Sequence, residues 1–179
     1  MALELKPQIH YIEDAAVDQI LDRKIRAILV KCFSHEPKFM AQRYNNDPPK
    51  HRWYIEWNDG IIAHLAVHEK KLMINSAKID FMGIAEVCVV PEFRGLKFVS
   101  LLLSQAEEFL PQFKYAILLG NSDFYRSSGF FPVPNIYFWQ QPESAAEQAL
   151  VKCFHENKWP NNDRGLTILK SPSSPNNPN

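Results

Sequence analysis

Glu86-Val87-Cys88-Val89-Val90-Pro91-Glu92-Phe93-Arg94-Gly95-Leu96-Lys97-Phe98-Val99-Ser100-Leu101-Leu102-Leu103 is the stretch on which the reading of this chain turns. Ile84 to Val90 is rich in β-branched residues and ends at Pro91, which predicts a strand. From Gly95 to Leu110 the period changes: Leu96, Val99, Leu102, Leu103, Ala106 and Leu110 share one helical face. A strand therefore passes through a tight turn into a helix. The first N–H groups of such a helix lack an internal partner and carry the positive end of its dipole. That end is a ready place for a phosphate group. Gly95 lets the backbone approach closely, and Arg94 and Lys97 add positive charge. Many strand-to-helix turns bind nothing, so the turn alone supports anion binding only modestly.

Downstream, Tyr115 to Leu119 is short and fully apolar, as a buried central strand should be. With the helix between them, the strands of the 84–119 unit should be parallel and right-handed. Ser122 to Ser128 reads as a short helix capped by Ser122 and left through Gly129. Further strands are expected at Ile136–Trp139 and Ala149–Phe154. Upstream, Leu3 to Ile12 reads as a first strand, and Glu13 and Asp14 suit the positive start of a helix. Val17, Ile20, Leu21, Ile25, Ile28 and Leu29 carry that helix to about Phe33. Residues 34–50 hold Pro37, Pro48 and Pro49, predict a loop with at most one short helix, and could wall a substrate cleft. Trp53–Trp57 and Ile61–His68 flank Asn58-Asp59-Gly60, a hairpin signal in which glycine would take the positive φ. One domain over residues 1–170 follows. Ser171 to Asn179 has no apolar residue to offset ordering entropy and reads as a disordered tail.

Val89, Pro91, Phe93 and Arg94 fall on the pattern V-x-P-x-[FYW]-[RQ]-x-x-G-x-[GA], and the stretch resembles motif A of the GNAT acyltransferase superfamily. Asp123-Phe124-Tyr125-Arg126-Ser127-Ser128-Gly129-Phe130 resembles its second hallmark, F-Y-x-x-x-G-F. The two motifs stand in the required order, separated by a helix and a strand. Lys97 and Val99 depart from the pattern, since they replace its two small residues. Finer details, R-G-x-[KR]-[LF]-V-S-x-L-L, Ala63 to Val67 and Trp159-Pro160, are similar to aminoglycoside 2′-N-acetyltransferases and the related nodulation acyltransferase. The resemblance covers roughly residues 53–170.

The resemblance implies an α/β fold with a mixed, mostly antiparallel sheet, a central parallel strand pair and flanking helices. It also implies transfer of an acetyl group from acetyl-CoA to a primary amine of a small molecule. Pantetheine would pair with strand backbone at Cys88, Val89 and Val90. The pyrophosphate would sit on the amides of Arg94, Gly95, Leu96, Lys97, Phe98 and Val99. A backbone N–H near Val89 could stabilise the oxyanion. Tyr125 matches the residue that protonates the departing thiolate, against a bland reading as a packing aromatic. Glu86 is the candidate base, directly or through a water, although strand glutamates are more often solvated or paired. His64 is a weaker candidate, and a satisfied sheet histidine is the commoner case. Alternatives are a non-catalytic acyl-CoA-binding domain and transfer of a longer acyl chain.

Composition bounds the rest. Lysine plus arginine equals aspartate plus glutamate at 20 each, so nothing suggests a nucleic-acid footprint or an anionic membrane surface. Cys32, Cys88 and Cys153 are widely spaced in apolar contexts and read as small buried hydrophobes rather than disulfide halves. His64 and His68 share a strand face, but no carboxylate or cysteine stands at ligand spacing, so no metal site is expected. Trp53, Tyr54 and Trp57 read as sheet and core aromatics. The start lacks a signal-peptide pattern and no apolar run reaches a membrane span, so a cytoplasmic monomer or homodimer is expected.

Overall fold

Why the hairpin at Asn58 forms is visible in its backbone. In a two-residue type I′ turn both central residues need positive φ, and Asn58 (φ 47°) and Asp59 (φ 63°) supply it. Gly60, expected to take that conformation, instead opens the following strand. Asparagine and aspartate tolerate the left-handed region because their short polar side chains bond locally.

The computed structural model describes residues 7–74, 76–138, 141–160 and 166–168. The start of the expected first strand, Trp139 and the 171–179 tail lie outside them. By contacts the chain divides into two compact units, Met1–Val67 with Glu86–Phe109, and His68–Ala85 with Leu110–Asn179. Strands β3 (Gly60–Ile74) and β4 (Ala77–Val89) each contribute a part to both.

In the first unit, β1 (Gln8–Glu13) pairs antiparallel with β2 (His51–Trp57), from Gln8 opposite Glu56 to Glu13 opposite His51. β2 pairs antiparallel with β3, from His51 opposite Val67 to Trp57 opposite Gly60. Trp53 and Tyr54 are buried here, as expected of core aromatics. Helix α1 (Gln19–Cys32) buries Ile25, Ile28 and Leu29. Its cap is Asp18, whose carboxylate accepts from the amides of Ile20 (2.9 Å) and Leu21 (2.8 Å). Asp14, expected at the helix start, lies earlier in a short 3-10 turn and is buried. Helix α2 (Phe98–Phe109) buries Phe98, Leu102, Leu103 and Ala106. It begins three residues later than the periodicity predicts, so Leu96 precedes it and stays exposed.

A chain of alternating charges runs through this unit: Arg26, Asp22, Arg43, Asp14, Arg52 and Glu86. Its most deeply buried member is Arg52, whose side chain has no exposed surface. Arg43 reaches Asp14 at 2.8 Å and Asp22 at 3.0 Å, and Arg26 reaches Asp22 at 2.8 Å. Arg26 Nη1 also donates to the Met40 carbonyl at 2.8 Å, so the irregular 34–50 segment, with its 3-10 turn Pro37–Met40, is tied to α1 and the sheet. Burial opposes ionisation of Asp14, but the hydrogen bonds from Arg43 and Arg52 outweigh it and hold the carboxyl below its ordinary range.

In the second unit the strand order is β6-β9-β5-β4-β3-β10-β7-β8. These are β5 (Tyr115–Leu119), β6 (Phe131–Pro132), β7 (Ile136–Phe138), β8 (Gln141–Ala145), β9 (Ala149–Cys153) and β10 (Leu166–Ile168). β4 and β5 are parallel as expected, with Met82 opposite Ala116 and Gly83 opposite Ile117. β7 and β10 are also parallel, and the other registered pairs are antiparallel. Leu72, Phe81, Tyr115, Ile117, Ile136 and Val151 are among the buried residues of its core. The second hairpin, through residues 69–83, was not read from the sequence: Glu69-Lys70-Lys71 interrupts the apolar run of its first strand, although Ala77-Lys78-Ile79-Asp80-Phe81 in the second does alternate. The short helix α3 (Ser122–Tyr125) is capped by Asn121, not Ser122: the Asn121 side chain accepts from the Asp123 amide at 2.9 Å. Gly129 (φ 88°) makes the expected left-handed exit.

The fold is a mixed α/β one, a mostly antiparallel sheet with the β4–β5 parallel pair and flanking helices. Among the described residues no helix is long and apolar enough to cross a membrane.

Arg52→Met would leave Asp14 and Glu86 buried without their shared cation, a change that typically costs about 3–5 kcal/mol. Urea unfolding should show a loss of that order; a loss below about 1 kcal/mol would mean the charge chain adds little to stability.

Candidate active site

The strand-to-helix segment is built in three steps. β4 ends at Val89, and the Val90 amide continues the ladder by donating to the Ile62 carbonyl at 2.9 Å. Successive amides of a strand face opposite edges, so the Val89 N–H points away from β3. Pro91–Phe93 then forms a 3-10 turn, which the sequence did not predict, and Arg94 is extended (φ −66°, ψ 154°). Arg94 Nε folds back to the Val89 carbonyl at 3.3 Å.

Two left-handed residues now turn the chain into α2: Gly95 (φ 82°) and Lys97 (φ 60°). Nothing lies within 4 Å of a Cβ built on Gly95, so glycine is needed there for its backbone angle and not for space. The Lys97 carbonyl accepts from the Leu101 amide at 3.0 Å, so Lys97 is the residue on which the helix starts. A non-glycine residue held left-handed costs roughly 1–2 kcal/mol. That is the physical reason for a glycine at this place in the pattern, and Lys97 keeps the conformation while bearing the cost. The amides of Phe98 and Val99 open the helix, where N–H groups have no partner within it. The expected phosphate amides are thereby divided: Arg94 to Lys97 form an exposed loop, and Phe98 and Val99 form the first turn.

Glu86 stands upstream in β4 with φ 52°, a left-handed residue inside a strand. Its side chain is only 4% exposed. One carboxylate oxygen accepts from the Asn45 amide at 3.1 Å and the other from Arg52 Nη1 at 3.0 Å. Burial raises its pKa, opposed by the neighbouring Arg52 charge. Arg52 also donates from Nε to Asp14 at 2.6 Å, from Nη1 to His64 Nε2 at 3.0 Å, and from Nη2 to the Arg43 carbonyl at 2.9 Å.

A guanidinium can only donate, so His64 Nε2 accepts and its proton sits on Nδ1, which donates to the Glu86 carbonyl at 2.9 Å. His64 is fully buried. Burial, with the Arg52 charge beside it, lowers its pKa to about 3. It is the satisfied sheet histidine, neutral at pH 7, with both nitrogens engaged. Among the described residues no group of three or more histidine, cysteine or acidic side chains could hold a metal ion. Arg52, Arg43, Asn45 and Asp14, which hold Glu86 in place directly or through one another, gave no sequence signal. They are scattered along the chain without a spacing that a helix or strand would impose.

Tyr125 belongs to the second unit, where it ends α3. Its ring meets Phe130 edge-on at 6.1 Å. A Cβ built on Gly120 would lie 3.0 Å from Tyr125 Cε2, so the absence of a side chain at Gly120 makes room for the ring.

The family described as "Acetyltransferase (GNAT) domain" matches residues 8–133. The chain belongs to the GNAT acetyltransferase family. No curated protein sequence matches it. Solved structures share the GNAT fold at low identity. A Brucella melitensis GNAT acetyltransferase in complex with acetyl-CoA is 15% identical with a TM-score of 0.59, over 92% of this chain and 97% of that one. The Escherichia coli GNAT acetyltransferase YhbS, in complex with CoA, is 15% identical with a TM-score of 0.57, over 82% and 81%. A probable N-acyltransferase from Enterococcus faecalis is 14% identical with a TM-score of 0.55 over 69% of this chain, which spans only 32% of that larger protein. At these identities the likeness establishes the GNAT fold alone.

Acid stability tests the assignment of His64. A folded pKa near 3, against about 6.5 unfolded, means the unfolded state binds a proton first as pH falls. The stabilising contribution is complete above about pH 6.5 and is lost toward pH 3, at up to about 1.4 kcal/mol per pH unit. Asn can accept from Arg52 and donate to Glu86 without titrating. The stability difference between wild type and His64→Asn should therefore change steeply between about pH 6.5 and 4; a constant difference would mean His64 is not held neutral.

Proposed function

We propose that the chain transfers an acyl group, acetyl in the simplest case, from its CoA thioester to the primary amine of a small molecule. The observation that carries this reading is the turn Arg94 to Lys97. Two left-handed residues, Gly95 and Lys97, lead an exposed loop that carries the cations Arg94 and Lys97 directly into the first turn of a 12-residue helix. Together with membership of the GNAT family, that supports a pyrophosphate held by Phe98 and Val99 N–H groups and by Arg94 and Lys97. Cys88, Val89 and Val90 would pair with pantetheine. Since the Val90 amide is used by Ile62, the Val89 amide is the better donor to the oxyanion.

In the reaction the amine nitrogen attacks the thioester carbonyl, the C–S bond breaks, and Tyr125 gives its proton to the departing thiolate. For Glu86 the environment supports positioning over the base role expected from the sequence. Its carboxylate is enclosed and held at both oxygens, and it fixes the backbone just ahead of Cys88 to Val90. The ammonium proton then goes to solvent, and the rate follows the neutral fraction of the amine. The similarity to the aminoglycoside and nodulation enzymes makes longer acyl groups worth including beside acetyl in a substrate panel.

Acetyl-CoA at about 100 times its dissociation constant should add roughly 2.7 kcal/mol, a rise in Tm of about 5–10 °C. No shift at millimolar CoA, with no heat by calorimetry, would overturn the reading. Tyr125→Phe keeps the ring against Gly120 and Phe130 but deletes the proton. Thiol release across an amine panel should fall by about 10²–10⁴ in kcat with CoA affinity and Tm retained. Retention of half the activity would remove Tyr125 as the acid.

Glu86→Gln discriminates the two roles of Glu86. A positioning role gives a kcat/KM deficit that is constant from about pH 6 to 9, whereas a base gives a deficit that shrinks as pH rises and the amine deprotonates itself.

A further inference from the structure

Residues 43–45 belong to no helix or strand, and side chains hold their backbone instead of a ladder. Arg52 Nη2 donates to the Arg43 carbonyl at 2.9 Å, and the Asn45 amide donates to Glu86 Oε1 at 3.1 Å. Gln42 Nε2 donates to the carbonyls of Tyr44 at 2.9 Å and Asn45 at 3.2 Å. Arg52 and Glu86 are themselves joined, Nη1 to Oε2, at 3.0 Å. A closed ring results: Arg52, the Arg43 carbonyl, the backbone to the Asn45 amide, the Glu86 carboxylate, and Arg52 again. Both peptide units of Tyr44 lie in that ring, so the buried ion pair fixes its backbone. Tyr44 itself is half-buried and keeps part of its surface open.

We propose that Arg52 is a positioning residue for the acyl acceptor: through the Arg43 carbonyl and the Glu86 carboxylate it holds Tyr44 in the wall that the incoming amine meets. The proposal rests on the reading of Cys88 to Val90 as the pantetheine strand, with Val89 at the reacting carbonyl. Order along β4 gives the assignment. Arg94 and Lys97, which would take the pyrophosphate, follow Val89 in the chain. The 43–45 segment is attached on the other side of it, at Glu86. Glu86 stands three residues before Val89. Three strand residues span about 10 Å, a distance that a tyrosine side chain and a small amine bridge together. All of these residues belong to the first unit.

The chemistry of the contact follows from the reactant. A primary amine arrives as an ammonium, and the ring face and phenolic oxygen of a tyrosine both attract a cation. Arg52 has no exposed surface, so it acts only through the groups it holds. A site of this kind is precise when its contacting residue is locked by a further layer of hydrogen bonds. Lysine at position 52 would keep the charge but has no planar fork with which to reach Arg43, Glu86, Asp14 and His64 together.

The experiment compares Arg52→Lys, Tyr44→Ala and the double variant of the full chain, by thiol release from acetyl-CoA with benzylamine and 1,4-diaminobutane as probe amines. Each single change should raise KM for the amine by about tenfold, with kcat moving less than about threefold and CoA affinity retained. The double variant should be little worse than the poorer single one, because both changes act on one contact. Multiplied effects would mean that Arg52 does not act through Tyr44. An unchanged KM in Tyr44→Ala, or CoA affinity lost together with KM in Arg52→Lys, would overturn the positioning role, as would turnover of neither amine by CoA-bound wild type. Should Arg52→Lys not fold, Asn45→Pro deletes the N–H donor to Glu86 at an exposed residue and should give the same rise in KM; no rise overturns the clamp. Hydrogen exchange reads the clamp without activity: the Asn45 amide should exchange at least about tenfold faster in Arg52→Lys, and an equal rate would overturn it. If the wild type binds no CoA, the acyltransferase reading fails while exchange at Asn45 still decides the clamp.

Discussion

A guanidinium without exposed surface must find acceptors inside the protein, and much of the first unit is arranged around that requirement at Arg52. Its donors reach the Asp14 carboxylate, the Glu86 carboxylate, the His64 ring and the Arg43 carbonyl. Those acceptors come from a 3-10 turn, β4, β3 and the 34–50 segment, so one side chain fixes four stretches of backbone. A left-handed glutamate inside a strand persists only where its surroundings over-determine it. Glu86 is held at both carboxylate oxygens and at its carbonyl, which is that over-determination in atomic terms.

The charges of this network largely cancel within it. Arg26, Arg43 and Arg52 face Asp22, Asp14 and Glu86, so little field is left over from the interior. The charges at the turn after β4 are the exposed cations Arg94 and Lys97 and the carboxylate of Glu92, the last paired with Lys31 at 3.0 Å. Interior charge gives geometry, and surface charge gives attraction. Lys97 shows the two demands meeting in one residue: the backbone there is one that glycine adopts freely, and the side chain adds a cation that glycine lacks.

The strand, turn and helix from Ile84 to Leu110, the strand Tyr115–Leu119 and the Gly129 exit were legible because each is governed by neighbours in sequence. β-Branched runs, a 3.6-residue apolar period and a residue tolerant of positive φ act over a few positions and leave a readable pattern. The hairpin through residues 69–83 was not read, because the charged run Glu69-Lys70-Lys71 breaks the apolar pattern of its first strand and the turn between Ile74 and Ala77 carries no glycine or proline. The caps Asp18 and Asn121 were missed in favour of Asp14 and Ser122, since several capping residues stood close together and the packing chose among them.

What the sequence determined by itself was the mixed α/β architecture and the GNAT family, both carried by short ordered motifs. What only the tertiary structure decided was the state of the buried polar groups: that His64 is neutral and that the Glu86 carboxylate is paired with Arg52. Protonation and reactivity depend on burial and on charges within a few ångströms. In this chain those charges come from residues tens of positions apart, brought together by folding and by no local rule.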